Sequence, residues 1–199
     1  MLFINVKFTD SPQTHEEDHA TSIFLRDTAV ELLMPGTVPE YSAHSGGKPY
    51  VRDGSFSYSF SHTDGCVVCA VAVPISWQGA EPVPETVTED GIYLLSEDSI
   101  VWNIGCDVET VTADCHRGVA NRFFSEAEKS RFSVSTEPEV EFVRIWTRKE
   151  SRVKCTGEGL SALRGADTES PSEFRSHEVR LCRKGKVFIC TVTVQPKKI

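Results

Sequence analysis

Two apolar runs constrain the fold of this chain more than any other feature. CVVCAVAV, residues 66–73, and VFICTVTV, residues 187–194, contain no charged side chain and are rich in β-branched residues. Runs of this kind are typical of strands that are buried on both faces. The two runs share a pattern, which fits a helix-and-sheet unit that occurs twice in the chain. Two unrelated buried strands of similar composition would also account for the likeness.

The rest of the pattern predicts helices and further strands. Thr14 and Glu17 have the form of a capping box, and the helix that follows should stop at Pro35 and Gly36. Its apolar residues recur near helical spacing: Ala20, Ile23, Phe24, Val30 and Leu33. We predict further strands at SFSYSF, IYLL and IVWNIGCDVE, and further helices at 112–124, 125–132 and 136–154. The last two helices open with the capping-box forms SEAE and TEPE, and residues 75–90 resemble a loop or insertion.

Composition indicates a globular protein in a reducing compartment. The chain is 39% hydrophobic and 25% charged, and no stretch approaches the roughly 18 consecutive apolar residues of a membrane span. Lys7 and Asp10 interrupt the opening residues before a signal-peptide core can form. Seven cysteines, an odd number, favour free thiols. We therefore expect a cytoplasmic protein that binds neither a membrane nor nucleic acid.

One Cys-x-x-Cys motif, formed by Cys66 and Cys69, invites a zinc or redox interpretation. Both residues lie within the first apolar run. Residues three apart on a strand face opposite sides of the sheet. The motif is therefore better explained as two core cysteines.

Charge is unevenly distributed along the chain, whose formal net charge is -8. Residues 1–110 hold 4 Lys or Arg against 17 Asp or Glu, and residues 111–199 hold 17 against 12. Most of these charges are explained by solvated surface. The cationic second part nevertheless offers a local surface to which an acidic partner could be attracted.

Asp107 and Glu109, in GCDVE, are two residues apart on a predicted strand, so their carboxylates share one face. Adjacent carboxylates repel each other unless a cation joins them, and Mg²⁺ typically binds one or two carboxylates together with phosphate. An exposed strand edge with two solvated acids is the alternative, and for this motif alone it is the better explanation.

Glu150 lies within IWTRKESRVK, a cationic run at residues 145–154. Trp146, Glu150 and Lys154 are spaced by four residues, which places them along one helical stripe. An ordinary surface pair between Glu150 and Lys154, contributing about 0.3–0.5 kcal/mol, would explain part of this pattern. With Lys149 and Lys154 on either side, Glu150 is also equipped to hold a metal ion and a polyphosphate together.

Three blocks of sequence resemble the 4'-phosphopantetheinyl transferases of the larger, pseudo-dimeric type. The first is GKPYV followed by FSYSFSHTDG, the second is IGCDVE, and the third is RFFSEAEKSRF with IWTRKESRVKCTGEGL. The blocks follow the order of the family and span residues 46–160, and the last block is the most specific. Enzymes of this family move the phosphopantetheine arm of coenzyme A onto a serine of a carrier protein.

The resemblance implies a role for each matched residue. Asp107, Glu109 and Glu150 would bind Mg²⁺. Glu150 would act as the base toward the serine hydroxyl, and Lys154 would neutralise the leaving 3',5'-ADP. The resemblance implies catalytic roles for Glu150, Lys154 and His62, and a coenzyme A site formed by Gly47, Lys48, Pro49, Arg52, Ser61, His62 and Lys154. Phe124 and Glu128 match a segment on the carrier-docking side, although a core residue and a helix cap would explain them equally well.

The resemblance also implies an α+β fold of two similar halves, each a helix with a small sheet, related by a pseudo-twofold axis with the active site between them. The halves would be residues 1–103 and 104–199. We expect a monomer that acts on an apo acyl or peptidyl carrier protein of fatty acid, polyketide or nonribosomal peptide synthesis.

Three alternatives remain open from the sequence. A degenerate family member would bind coenzyme A without transferring its arm. A non-catalytic interaction module would use the acidic 75–90 segment as its working surface. A metal-dependent phosphohydrolase would use the carboxylates and Lys154, but it would leave the SHT and GKP blocks unexplained.

Overall fold

The computed structural model describes residues 1–10, 12–44, 47–74, 79, 81–97, 102–113, 116–168 and 173–196. Its four α-helices are α1 (His15–Leu33), α2 (Arg117–Phe123), α3 (Glu126–Val134) and α4 (Pro138–Thr156), and a 3-10 helix covers Leu160–Arg164. The eleven strands formed by these residues are β1 (Leu2–Phe8), β2 (Tyr41–Ala43), β3 (Pro49–Val51), β4 (Ser57–Thr63), β5 (Cys66–Ala72), β6 (Glu81–Pro82), β7 (Thr86–Val87), β8 (Gly91–Ser96), β9 (Trp102–Thr110), β10 (Arg175–Arg183) and β11 (Lys186–Pro196). The predicted α+β class is confirmed.

Two sheets account for most of the core. The first has the strand order β4-β5-β1-β8-β6 and the second has the order β7-β10-β11-β9. In each sheet one of the two apolar runs is an inner strand, β5 in the first and β11 in the second. One apolar cluster draws buried side chains from both sheets, among them Ile4, Val68, Cys106 and Cys190. The sheets therefore pack against each other through a shared apolar layer.

The two sheets have the same connectivity in their central parts. In chain order, β1, α1, β4 and β5 form one series, and β9, α4, β10 and β11 form the other. In both series the last strand pairs antiparallel with the two earlier strands, β5 with β1 and β4, and β11 with β9 and β10. The weak repeat in the sequence thus coincides with a repeated order of elements.

Helix α1 begins at the predicted capping box, in which Thr14 and Glu17 bond each other's backbone. Its buried apolar face is formed by Leu25, Ala29, Val30 and Leu33, which pack with residues of β1 and β5. The predicted apolar face was partly wrong, because the side chain of Phe24 is 63% exposed. Sequence spacing located the helix correctly but not the direction of its buried stripe.

The cysteine interpretation is confirmed for the motif in β5. Cys66 belongs to the cluster between the two sheets, and Cys69 belongs to the cluster beneath α1. Both thiols are buried and free, and burial raises the pKa of each above its usual value. The two cysteines are three residues apart on one strand, so their side chains point to opposite faces and lie in different core layers.

Several boundaries differ from the sequence prediction. The helix expected at 112–124 covers only Arg117–Phe123, and residues 114–115 lie outside the described residues. The TEPE capping box does not form, since Glu137 is the N-cap without a side-chain hydrogen bond and Pro138 begins α4. The strands β1, β2, β3 and β10 were not predicted. Among the described helices, none combines the length and apolarity needed to cross a bilayer.

The 75–90 segment, predicted to be a loop, contributes a short strand to each sheet. β6 pairs in parallel with β8, and β7 pairs in parallel with β10. Arg183 bonds Glu89, and Asp90 bonds both Lys7 and the backbone N–H of Phe8. Residues 81–90 therefore connect the two sheets at the edges that carry β6 and β7. Residues 75–78 and 80 lie outside the described residues.

Lys149 does not lie beside the predicted metal site, which corrects the sequence interpretation. Its side chain is fully buried, 2.9 Å from an oxygen of the fully buried Glu128, and it also donates to the carbonyl of Ala166. Glu128 is the N3 residue of the capping box of α3 and accepts from Thr168. This pair holds α3 and residues 166–168 to α4, so Glu128 is a core and capping residue. Phe124 is buried in the neighbouring apolar cluster.

Helix α4 lies directly on β9 at Gly105. A Cβ atom at this position would lie 1.9 Å from the carbonyl oxygen of Ser151 and 2.3 Å from the backbone nitrogen of Cys155. Thr147 and Ser151 of α4 bond Thr191 and Thr193 of β11 at 2.8 and 2.7 Å. The contact between helix and sheet is therefore close and partly polar, and it needs glycine at residue 105.

We predict that Gly105→Ala lowers the free energy of unfolding by about 3 kcal/mol or more, since backbone atoms rather than a flexible side chain would have to move. Urea denaturation measures this change. Gly118→Ala is the matched control, because nothing lies within 4 Å of a Cβ there and the residue is helical. Equal stability of the two variants would contradict the close contact.

We predict that Lys149→Met lowers the free energy of unfolding by about 3–5 kcal/mol, because it leaves the carboxylate of Glu128 buried without its cation. The exposed pair between Lys129 and Glu126, 2.8 Å apart, provides the control. Lys129→Met should cost no more than about 1 kcal/mol. The prediction fails if thermal and urea unfolding give similar losses for both variants.

Candidate functional site

The site lies where the edge strand of one sheet meets the edge strand of the other. β4 and β9 are not paired through their backbones. Alternate side chains of β4 join them instead: Ser59 accepts from the backbone N–H of Cys106 at 2.9 Å, and Ser61 donates to Asp107 at 2.9 Å. Thr63 donates to Glu109 at 3.4 Å. We call this contact between β4 and β9 the seam.

Lys154 of α4 bonds one residue from each strand of the seam. Its ammonium group donates to Asp107 Oδ1 at 2.7 Å and to the hydroxyl of Ser61 at 3.1 Å. Burial disfavours the charged amine, but the carboxylate of Asp107 outweighs burial and raises the pKa of Lys154. Three elements, β4, β9 and α4, therefore meet at a single carboxylate.

Asp107, Glu109 and Glu150 line one cavity of about 310 Å³, together with Phe60, Ser61, His62 and Lys154. This arrangement confirms that Asp107 and Glu109 share a face of β9, while Cys106 and Val108 lie in the apolar layer behind them. The spacing of Glu150 and Lys154 by four residues brings both into the same cavity.

The cavity holds more negative charge than its protein cation balances. Burial, and then the neighbouring carboxylate of Asp107, raise the pKa of Glu109 to about 7, against the opposing effects of Lys154 and Thr63. Burial and Asp107 also raise the pKa of Glu150. The second oxygen of Asp107, Oδ2, is buried and has no hydrogen-bond partner.

These observations fit a hard cation. A buried carboxylate oxygen without a partner, beside two carboxyl groups that are costly to ionise, is the donor set that Mg²⁺ prefers. Within the described ranges, no three His, Cys, Asp or Glu side chains are gathered closely enough to hold a metal ion as they stand. Lys154 bonds Oδ1 of Asp107, and a metal ion could be held only if the side chains around the cavity closed inward.

A second cavity, of about 300 Å³, adjoins the first. It is lined by Gly47, Lys48 and Pro49 of the GKP block and by Gly157 and Gly159 after α4. Phe60, Glu150 and Lys154 line both cavities. Lys48 donates to the carbonyl of Cys155 at the end of α4, which ties the GKP block to the helix that carries Glu150.

Nearly all of the predicted site residues lie around these two cavities. Ser61 and His62 line the first, and the GKP residues line the second. Arg52 lies apart: its guanidinium is exposed, 3.8 Å from Glu40, and it is not among the residues that line either cavity. The structure therefore gives Arg52 no contact that links it to the site.

Several residues that shape the site were not predicted from the sequence. Asp18 of α1 lies 3.1 Å from His62, Thr63 bonds Glu109, and Gly105 admits α4 to β9. The alternation of Ser59, Ser61 and Thr63 was a signal that could have located the seam, since small hydroxyl side chains on one strand face suit a close polar contact. Nothing in the sequence indicated the role of Asp18.

Taken together, the seam offers three carboxylates, one ammonium and a neighbouring cleft with glycine-rich walls. Carboxylates beside an ammonium can hold a divalent cation and a phosphate group together. Burial and Asp107 raise the pKa of Glu150, which makes it a better proton acceptor than an ordinary carboxylate. The arrangement therefore fits chemistry at a phosphate ester or anhydride.

Comparison with known proteins agrees with this chemistry. Residues 103–197 match the model of the 4'-phosphopantetheinyl transferase superfamily. Two curated proteins, the 4'-phosphopantetheinyl transferases AcpT of Salmonella typhimurium and Salmonella typhi, are each 33% identical to this chain over 108 residues. Each alignment covers 52% of this chain and 54% of the relative, so the match spans about half the length of the curated relatives.

The matched segment contains residues 103–110 of β9 and all of α4, which supply Asp107, Glu109, Glu150 and Lys154 to the site. Over residues 103–197, the chain is therefore similar to the 4'-phosphopantetheinyl transferase superfamily.

Proposed function

We propose that this protein transfers the 4'-phosphopantetheine arm of coenzyme A to a serine of an apo acyl or peptidyl carrier protein. One observation carries the proposal: Glu150 and Lys154 line both the carboxylate cavity and the adjoining cavity of the GKP block. A substrate that lies in the second cavity would therefore present its phosphates to the carboxylates of the first. The superfamily match and the two AcpT relatives support the same activity.

In the proposed reaction, the serine oxygen of the carrier forms a bond to the phosphorus of the phosphopantetheine, and the bond to the leaving 3',5'-ADP breaks. The proton of the serine hydroxyl passes to Glu150, directly or through a water molecule. Burial and Asp107 raise the pKa of Glu150, which improves it as a proton acceptor. Lys154 neutralises negative charge on the leaving group.

Asp107, Glu109 and Glu150 are the residues that would hold Mg²⁺. The bound ion would supply Lewis-acid polarisation of the pyrophosphate of coenzyme A. The amine of Lys154, which now bonds Asp107 Oδ1, would then be available to a phosphate oxygen. In this proposal the excess carboxylate charge of the seam is what selects a divalent cation.

We further propose that the molecule is of the larger, pseudo-dimeric type, with halves at residues 1–103 and 104–199 and the active site between them. The repeated order of strands and helices supports this division. The seam supports it too, because β4 and β9 belong to different sheets and the site residues come from both. A single chain would then complete the site, so we expect a monomer.

The direct test of the proposed function is labelling of apo carrier proteins with coenzyme A and Mg²⁺, followed by mass spectrometry of the intact carrier. We expect one phosphopantetheine to be added to at least one member of a panel of fatty acid, polyketide and nonribosomal peptide carriers. Binding of coenzyme A without labelling of any carrier would indicate the degenerate family member instead.

We predict that Glu109→Gln and Glu150→Gln each abolish transfer and raise the melting temperature in Mg²⁺-free buffer at pH 8. A raised carboxyl pKa means that the ionised group is the costly form in the folded protein. For Glu109, whose pKa is raised to about 7, this cost is fully present above pH 7 and absent below about pH 4, and for Glu150 it has the same sign. In the unmodified protein, Mg²⁺ at 100 times its Kd should add about 2.7 kcal/mol of stability.

The variants Glu109→Gln and Glu150→Gln should not gain this stabilisation when Mg²⁺ is added. Glu126→Gln is the control, since Glu126 is exposed on α3 away from the cavity. Normal turnover in either carboxylate variant, or an undiminished response to Mg²⁺ in both, would show that these residues do not hold the metal.

We predict that the cationic segment around α2 and α3 contributes to docking of the carrier, since carrier proteins are usually acidic. Arg122 lies on the exposed surface of α2, and Lys129 is partly exposed on α3. Changing both residues to Glu should raise the carrier KM at low salt and remove the increase of KM with added salt, because long-range attraction is lost. Coenzyme A binding, measured by calorimetry, should stay unchanged. An unaltered carrier KM would remove this surface from consideration.

A further inference from the structure

His62 is held by a residue that neither the motif nor the superfamily match includes. The imidazole Nδ1 lies 3.1 Å from Oδ2 of Asp18, whose side chain is only 14% exposed. His62 also lines the carboxylate cavity. The ring therefore has one nitrogen at a carboxylate of α1, and its other nitrogen, Nε2, remains for a ligand.

The first turn of α1 also places a second aromatic ring beside His62. The rings of His15 and His62 are 5.8 Å apart and nearly perpendicular. His15 and Asp18 are three residues apart on α1, so they lie on the same face of the helix. The capping box of Thr14 and Glu17 fixes this turn. The ring thus rests against a well-defined helix end rather than against a loop.

Orientation of this ring matters because the first part of the chain has few cations to offer a phosphate. Residues 1–110 contain only four Lys or Arg. Three of them form ion pairs with residues outside the two cavities: Lys7 with Asp90, Arg26 with Asp27 and Arg52 with Glu40. A histidine with freely rotating χ2 would present either nitrogen to a ligand, since such terminal torsions have broad, roughly two-fold preferences.

We propose that Asp18 is a positioning residue, which holds His62 so that Nε2 faces a phosphate group of coenzyme A. This inference rests on the proposed function for the identity of the ligand, but the contact between Asp18 and His62 does not depend on it. A carboxylate behind a histidine commonly fixes which ring nitrogen faces the ligand, and at metal sites the loss of such a partner costs about 10- to 100-fold in affinity or activity. Asp18 itself is not among the residues that line either cavity.

The test compares Asp18→Ala, His62→Ala and the double variant with Glu16→Ala. Glu16 is an exposed acidic residue in the same helical turn, so its loss reproduces the change of charge without the contact to His62. We expect Asp18→Ala to raise the Kd of 3',5'-ADP and the KM of coenzyme A about 10-fold, with kcat nearly unchanged. Adding Asp18→Ala to His62→Ala should cause no further loss, and Glu16→Ala should match the unmodified protein.

A second measurement needs no ligand and guards against misfolding of the variant. The ¹⁵N chemical shifts of the His62 ring should differ between the unmodified protein and Asp18→Ala, while the shifts of His116, on another element, should not. Unchanged His62 shifts, or additive losses of binding in the double variant, would overturn the proposal. If the unmodified protein transfers phosphopantetheine and Asp18→Ala binds coenzyme A equally well, the positioning role falls while the proposed function stands.

Discussion

The site depends on one contact, the side-chain bridge between the edge strands β4 and β9. Edge strands usually present unpaired backbone groups that must be covered or paired. Here Ser59 caps a backbone N–H of β9, and Ser61 and Thr63 reach its carboxylates. Direct backbone pairing would have drawn the strands together and left no room for a cavity. Bridging through short hydroxyl side chains keeps the sheets joined while the carboxylates of β9 remain accessible.

The same contact explains why the carboxylate of Asp107 lacks a full set of hydrogen-bond partners. Asp107 receives Ser61 and Lys154 on one oxygen, whereas its other oxygen is buried without a hydrogen-bond partner. An unpaired buried acceptor costs about 1–3 kcal/mol, and more when it is charged. Structures retain such a cost mainly at functional positions, where a ligand relieves it. The unfavourable electrostatic free energy of this buried carboxylate is therefore concentrated where the proposed metal and phosphates would bind.

Sequence predicted the parts of this molecule that follow from local rules. The apolar runs, the capping boxes of α1 and α3, and the common face of Asp107 and Glu109 all depend on residues close together in the chain. The seam, the contact of His62 with Asp18 and the role of Gly105 depend on how distant elements pack. β10 was missed because its polar and charged side chains hide its alternation: only Val179 and Leu181 of its nine residues are buried apolar residues. Tertiary packing, rather than propensity, decides such features.

Lys149 shows most clearly why neighbouring residues in a motif need not act together. Successive residues of an α-helix are about 100° apart around its axis, so Lys149 and Glu150 point in very different directions. Lys154 is four residues from Glu150 and about 40° away, and it lies in the same cavity. Lys149, about 140° from Lys154, is buried against Glu128 on the other side of α4. The two lysines of this cationic run therefore have different roles. Lys149 holds α4 to the core through Glu128, and Lys154 forms an ion pair with Asp107 at the seam.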